Sequence, residues 1–147
     1  MIAKIMAKPK QQDFSPKNSV NLTDLLHEYC KKIKDWPASW EISEEDIIVG
    51  QAITEEFKLF LLDRLGKGRA KKTIKNYADF LWVLGGELIR SINEDEDERK
   101  LSARELILKY IDDSGGPYWR HACDENEHSR YDSVCKQLFK FMTTNYT

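Results

Sequence analysis

The feature that most constrains this chain is the spacing of its apolar residues, which recur every three or four positions. The clearest stripe runs through a segment from about 70 to 92 and consists of Ile74, Tyr77, Leu81, Leu84, Leu88 and Ile92. Such spacing places side chains on one face of a helix. Similar stripes lie at 22–34, at 44–65 and after residue 124, and no stretch alternates as a half-buried strand does. The sequence therefore predicts an all-α fold, a compact bundle of about five helices.

Local signals place several helix ends. Ser102 and Glu105 have the spacing of a capping box and predict a helix start. Gly66 stands where the second predicted helix should end. Pro37 disfavours helical backbone at the residue before it, so the sequence predicts a loop at residues 36–40. The two tryptophans of that loop are expected to hold it on the core.

Charge is distributed along the chain in blocks. Residues 1–19 contain four lysines and one acid, which predicts a flexible basic N-terminal arm ahead of a single helical domain at 20–147. Five consecutive acids at 94–98 predict a solvated loop. The formal net charge of -2 is therefore the sum of opposed blocks and excludes no class of partner.

Composition limits the class of protein. Apolar residues make up 41% of the chain and charged residues 33%, which is typical of neither a disordered chain nor an integral membrane protein. No apolar run approaches the roughly 20 residues of a membrane span, and none follows the basic N-terminus as in a signal peptide. Three cysteines without a C-x-x-C pair argue against a disulfide framework. These features predict a cytoplasmic protein without a membrane partner.

The motifs of catalytic and metal sites are missing from the sequence. It has no glycine-rich phosphate loop, no His-Glu-x-x-His and no recognisable pair of nucleophile and base. The candidate metal ligands are irregularly spaced: His121, Cys123, His128 and Cys135. Cys135 falls on the apolar stripe of the last helix, where a buried free cysteine is the better interpretation. We therefore expect no metal, no cofactor and no enzymatic activity.

One segment, residues 64–75, contains six bases and no acid: Arg64, Lys67, Arg69, Lys71, Lys72 and Lys75. These bases flank a turn and enter a predicted helix start, where backbone N–H groups favour anions. Lysines in a first turn oppose the helix dipole, so they do not serve helix stability. Thr73 and Asn76 add neutral hydrogen-bonding groups. The segment is a candidate DNA-binding site that contacts phosphates, and the alternative is a basic turn that only aids solubility.

The order of residues in this region resembles a known family. Residues 57–62 (Phe-Lys-Leu-Phe-Leu-Leu), a glycine turn and residues 72–77 (Lys-Thr-Ile-Lys-Asn-Tyr) are similar to the N-terminal core-binding (SAM-like) domain of phage-type tyrosine recombinases, or integrases. Later helices match at residues 101–111 and at 134–142, so the resemblance covers about 50–143. It implies a four-helix bundle, here preceded by an additional helix, that clamps one face of double-stranded DNA.

The resemblance also implies particular contacts. The residues expected near the phosphates are Lys71, Lys72, Thr73, Lys75 and Asn76, and Tyr77 is expected mostly in the core. The catalytic domain of recombinases, with its Arg, Lys, His-x-x-Arg and nucleophilic Tyr, has no counterpart in these residues, so recombinase activity does not carry over. Residues 81–90 and 111–117 are in addition similar to a group of small uncharacterised bacterial proteins, from which no activity carries over.

Two functions follow from these observations. The first is a non-catalytic DNA-binding helical domain related to integrase core-binding domains, working for or against a mobile element. The alternative is a protein–protein interaction module, an adaptor or regulator of a mobile-element or defence system that binds no nucleic acid. In that case the opposed charge blocks would steer association, and Trp36, Trp40 and Trp119 would be the interface anchors if exposed.

Overall fold

Six α-helices make up most of the protein's structure, a computed structural model that describes residues 18–144. They are α1 (Asn18–Tyr29), α2 (Trp36–Trp40), α3 (Asp46–Gly66), α4 (Lys71–Glu94), α5 (Ala103–Tyr110) and α6 (Glu125–Thr144), with short 3-10 helices at Ile33–Asp35 and Glu96–Lys100. The described residues form no strand beyond one isolated bridge. This confirms the predicted all-α fold. Residues 1–17 of the predicted basic arm lie outside the described residues.

Helix α3 is the centre of the bundle and packs against all five other helices. Its Phe57, Phe60 and Leu61 are fully buried. The predicted stripe of α4 is buried along its whole length, from Ile74 to Ile92. Burial of each large apolar side chain contributes about 1.5–3 kcal/mol, so these two helices supply most of the core. None of the described helices combines the length and the apolar composition that crossing a membrane requires.

The predicted capping box at the start of α5 is confirmed, and a second side-chain cap starts α6. The Ser102 hydroxyl accepts a hydrogen bond from the Glu105 N–H at 3.1 Å, and the Glu105 carboxylate accepts one from the Ser102 N–H at 2.8 Å. At the start of α6, Asp124 accepts from the Glu127 N–H at 2.8 Å. Each cap satisfies backbone donors that the helix itself leaves unpaired.

The predicted loop at residues 36–40 is wrong, because this segment forms α2. Pro37 stands in the first turn, where its missing N–H would have had no intrahelical partner. Trp36 and Trp40 are each only 6% exposed, which confirms that they pack on the core and removes them as exposed interface anchors. The Trp40 ring occupies the space that a Cβ on Gly85 would need, which explains a glycine inside α4.

The acidic run at 94–98 is likewise not a solvated loop throughout. Glu98 is only 4% exposed, and its carboxylate accepts hydrogen bonds from Lys109 Nζ at 2.6 Å and from the Tyr110 hydroxyl. Burial raises the pKa of Glu98, but these hydrogen bonds outweigh burial and lower it. A base from a later helix thus compensates a carboxylate that would otherwise avoid the interior.

Candidate nucleic-acid interface

The six predicted bases divide into two groups with different surroundings. Arg64 and Lys67, at the end of α3, both pair with Asp63, at 2.9 Å and 3.2 Å. The Arg64 guanidinium also lies over the Phe60 ring, 4.6 Å from its centroid, and the Arg64 side chain is only 12% exposed. These two bases therefore share one carboxylate, which directly precedes the predicted segment, and Arg64 serves the packing of the bundle.

The start of α4 is different. Lys71, Lys72 and Lys75 are exposed, and none of them forms an ion pair with any residue of 18–144. The N-cap residue, Ala70, has no side-chain acceptor, and the first turn contains no acid. The backbone N–H groups of this turn therefore have no capping side chain, and the positive end of the helix dipole adds to the lysine charges.

The structure brings two further lysines to this helix start. Lys31 and Lys32, in the connection after α1, line a cavity of about 520 Å³ together with Lys71 and Lys75. We call this cavity, after its four lysines, the lysine cleft. Lys71 Nζ lies 5.5 Å from the centroid of the Tyr29 ring, which ties α4 to the end of α1. The predicted segment of six bases thus supplies two of the four lysines of the cleft, and the other two come from a distant part of the sequence.

The remaining predicted residues have other positions. Arg69 and Lys72 are exposed and Thr73 is half-buried, and none of the three lines the cleft. Asn76 lines a second cavity, of about 590 Å³. Sequence reasoning missed Lys31 and Lys32 because they lie off the apolar stripe of α1 and have no motif.

The second cavity, which we call the aromatic cleft, adjoins the lysine cleft. Its aromatic lining residues are Trp36, Phe80, Trp82 and Trp119. Three carboxylates (Asp35, Asp79 and Glu127), the bases Lys32 and Arg130 and the Asn76 amide line it as well. The two clefts meet because Lys32, Trp36 and Asp79 line both.

The aromatic walls are held in place by hydrogen bonds and ring contacts. Trp82 Nε1 donates to the Ser39 hydroxyl at 2.9 Å, and that hydroxyl donates to the Trp36 carbonyl at 2.7 Å. Trp82 nevertheless remains 44% exposed. Elsewhere in the lining, the Trp119 ring contacts Phe80, with centroids 6.1 Å apart. The cleft thus presents indole surface whose orientation is already set.

The carboxylate at the wall between the clefts has an altered pKa. Burial raises the pKa of Asp79, and the charges of Lys75 and Lys32 partly offset that rise. Asp79 is therefore a carboxylate that senses two lysines of the lysine cleft and also lines the aromatic cleft.

The four candidate metal ligands have other roles or are dispersed. Cys135 is buried against the backbone of Gly116, as a free cysteine of the core. His128 uses both ring nitrogens, because Nε2 accepts from the Trp119 N–H at 3.1 Å and Nδ1 lies 3.2 Å from Asp132. In the part of the chain that the structure describes, no three His, Cys, Asp or Glu residues are grouped so as to hold a metal ion.

No family model, curated protein or solved structure matches this chain.

Proposed function

We propose that this chain is a non-catalytic DNA-binding helical domain that contacts phosphates through the lysine cleft and the start of α4. The observation that carries the proposal is the convergence of Lys31, Lys32, Lys71 and Lys75 on one cavity. Within residues 18–144 none of these four has an ion-pair partner. Clustered, unpaired ammonium groups complement the repeated negative charge of a phosphate backbone.

The helix start favours phosphate binding over a purely solubilising role. A cation in the first turn of a helix costs a few tenths of a kcal/mol against the helix dipole. The first turn of α4 begins with Lys71 and Lys72, has no acid and has no side-chain cap. A bound phosphate would compensate both the uncapped N–H groups and the lysine charges, because it would accept hydrogen bonds from the backbone and neutralise the lysines.

The resemblance to integrase core-binding domains supports the start of α4 as the surface that contacts DNA. It implies phosphate contacts at Lys71, Lys72, Thr73, Lys75 and Asn76, on the helix that forms one side of the lysine cleft. The protein has the all-α fold class that this resemblance requires. We therefore propose a domain of core-binding type that acts in the cytoplasm on double-stranded DNA, in the context of a mobile element.

Charge reversal in the cleft tests this function. The variant is Lys71→Glu with Lys75→Glu, and its matched control is Lys136→Glu with Lys140→Glu, a pair that is also exposed and four residues apart but lies on α6 and lines neither cleft. Fluorescence anisotropy of a labelled duplex is measured from about 50 to 200 mM salt. We expect the cleft variant to lose about tenfold or more in affinity and to reduce the salt slope by roughly 2, since each lost phosphate contact removes about 1.

The control pair should change duplex affinity by less than about threefold, because only long-range charge is altered. Equal losses in the two double variants, or wild-type binding that does not weaken with salt, would contradict a phosphate contact at the cleft.

A protein partner is the second candidate function, and exposed apolar residues on α3 favour it. Ile48 and Leu59 lie on the same face of this helix and are 74% and 44% exposed, and Ile42 just before α3 is 61% exposed. Two of the three predicted tryptophan anchors are buried, so this face is the better interface. Ile48→Glu with Leu59→Glu should abolish a stoichiometric complex with the partner and leave duplex binding unchanged. Loss of duplex binding in the same variant would contradict a separate protein interface.

A further inference from the structure

The aromatic cleft lies directly beside the lysine cleft, and the charges of the two differ. The lysine cleft has four bases and, in Glu28 and Asp79, two acids. The aromatic cleft has three acids and two bases around its ring surfaces. A phosphate is therefore favoured on one side of the shared wall and disfavoured on the other. A ligand that spans both clefts needs an anionic end and a neutral, planar end.

Trp82 has the properties of a stacking surface. Its indole N–H is already bonded to the Ser39 hydroxyl, which fixes the ring, while 44% of the residue is exposed. An exposed aromatic ring held in one orientation loses little side-chain entropy when a second ring stacks on it. Bases stack on such rings in proteins that bind single strands, next to a basic groove that follows the phosphates.

Polar groups around the same cleft match the edge of a nucleobase. Asn76 offers an amide donor and acceptor, and the Asp79 carboxylate accepts hydrogen bonds from base amino groups. In a duplex the faces of each base are stacked and its pairing edge is occupied. Only an unpaired base can therefore enter the cleft. A cavity of about 590 Å³ is within the range of small-molecule sites and is large enough for one base with its sugar.

We propose that the aromatic cleft takes the unpaired base of a nucleotide whose phosphate lies in the lysine cleft. This inference rests on the proposed function, since it uses the same lysines for the phosphate. Beside the duplex, it adds a second class of ligand that has a free base: a single strand, or a free nucleotide with the same chemistry. The other ligand that carboxylates and aromatic rings suit is a cationic peptide, and the four adjoining lysines repel it.

The experiment compares three nucleic-acid ligands on the full chain. Labelled single-stranded DNA and its duplex are measured by anisotropy, and a mononucleotide is measured by calorimetry. We expect the single strand to bind about tenfold more tightly than the duplex. Trp82→Ala should lower single-strand affinity about tenfold and remove this preference, since stacking on one ring contributes on that scale. The same variant should leave duplex affinity unchanged.

Two further variants separate stacking from damage to the fold. Trp82→Phe retains a ring and should recover most of the single-strand affinity. Tyr118→Ala removes a more exposed ring (74% against 44% for Trp82) that lines neither cleft, and it should leave the affinity for the single strand unchanged. Trp82-dependent binding of the mononucleotide at the affinity of the oligomer would assign a free nucleotide as the ligand and support the proposed chemistry.

Other results would overturn the inference in distinguishable ways. If the duplex binds through Lys71 and Lys75 while Trp82→Ala leaves single-strand affinity unchanged, the inferred binding of an unpaired base in the aromatic cleft is wrong. The proposed function stands in that case. If a basic peptide binds in a Trp82-dependent manner and no nucleotide does, both are wrong. Absence of binding by strand, duplex and mononucleotide at low salt also rejects both.

Discussion

Two charged regions of this protein differ in the burial and the pairing of their charged side chains. At the first, Asp46 is fully buried and accepts hydrogen bonds from the Ser43 N–H at 2.8 Å and from Asn93 Nδ2 at 3.0 Å, and it pairs with Arg99 at 2.8 Å. We call these residues the Asp46 network. At the second, the lysine cleft, the four bases are exposed and lack ion-pair partners in the described residues.

The difference separates charges that hold the fold from charges that are available to a ligand. The Asp46 network joins the start of α3 to the end of α4 and to the 3-10 helix Glu96–Lys100. Removing the Asp46 carboxylate would leave the largely buried Arg99 with only exposed carboxylates as partners. Exposed lysines cost the fold little, because water solvates them. Substitutions in the two regions should therefore affect different measurements.

The largest effect on stability is expected at Asp46. Asp46→Asn removes the buried one of the three carboxylates that pair with Arg99, the other two being the exposed Glu45 and Glu96, and weakens the hydrogen bonds that the charged carboxylate accepts. It should lower the free energy of unfolding by about 3 kcal/mol. Urea unfolding measures it. The matched control is Asp97→Asn, since Asp97 pairs with Lys100 at 3.4 Å in an exposed position, and it should cost less than about 0.5 kcal/mol. Equal losses in the two variants would remove the distinction between the network and an ordinary surface pair.

A smaller loss of stability is expected at acid pH. Burial raises the pKa of Asp46, but hydrogen bonds from Ser43, Asn93, Ile42 and Arg99 outweigh it and lower the pKa to about 2. Because the folded state holds the carboxylate ionised, its contribution is complete above the ordinary pKa of about 4 and disappears as pH falls towards 2. Unfolding in urea between pH 5 and 2.5 should show this loss. Asp46→Asn should show a shallower decline, and an identical decline in the two proteins would assign the acid sensitivity elsewhere.

The smallest effect on stability is expected in the lysine cleft. Lys71→Gln with Lys75→Gln should change the free energy of unfolding by less than about 0.5 kcal/mol, because both side chains are exposed. Lys71→Glu alone should raise it by about 0.3–1 kcal/mol, since an acid in the first turn favours the helix dipole. Thermal and urea unfolding of these variants measure both values. Destabilisation by more than about 1 kcal/mol would mean that the lysines serve the fold rather than a ligand.

Particular residues show which features of the fold can be predicted from the sequence. The buried stripe of α4 and the capping box at Ser102 follow from spacing along one helix, and both are confirmed. The helix at Trp36–Trp40 was missed because the rule for residues before proline is a local preference that core packing of two tryptophans overrides. Burial of Glu98 was missed because its compensating base, Lys109, belongs to a later helix.

The candidate site follows the same division. Lys71 and Lys75 are identifiable from the sequence because they enter a helix start without acids. Lys31 and Lys32 are not, since their place in the cleft depends on how the end of α1 packs beside α4. That Arg64 and Lys67 share the Asp63 carboxylate depends on side-chain geometry, which a count of charges does not contain.

The sequence by itself determined the helices and most of the core, because apolar periodicity and capping act within a few residues of the chain. Pairs such as Asp97 with Lys100 are local in sequence, but only the tertiary structure decided which charges of separate helices come together. The physical reason is that charges interact over a few ångströms in space, and residues remote in sequence reach that distance only through packing. Asp46 meets Arg99 and Lys31 meets Lys71 only after the helices have packed.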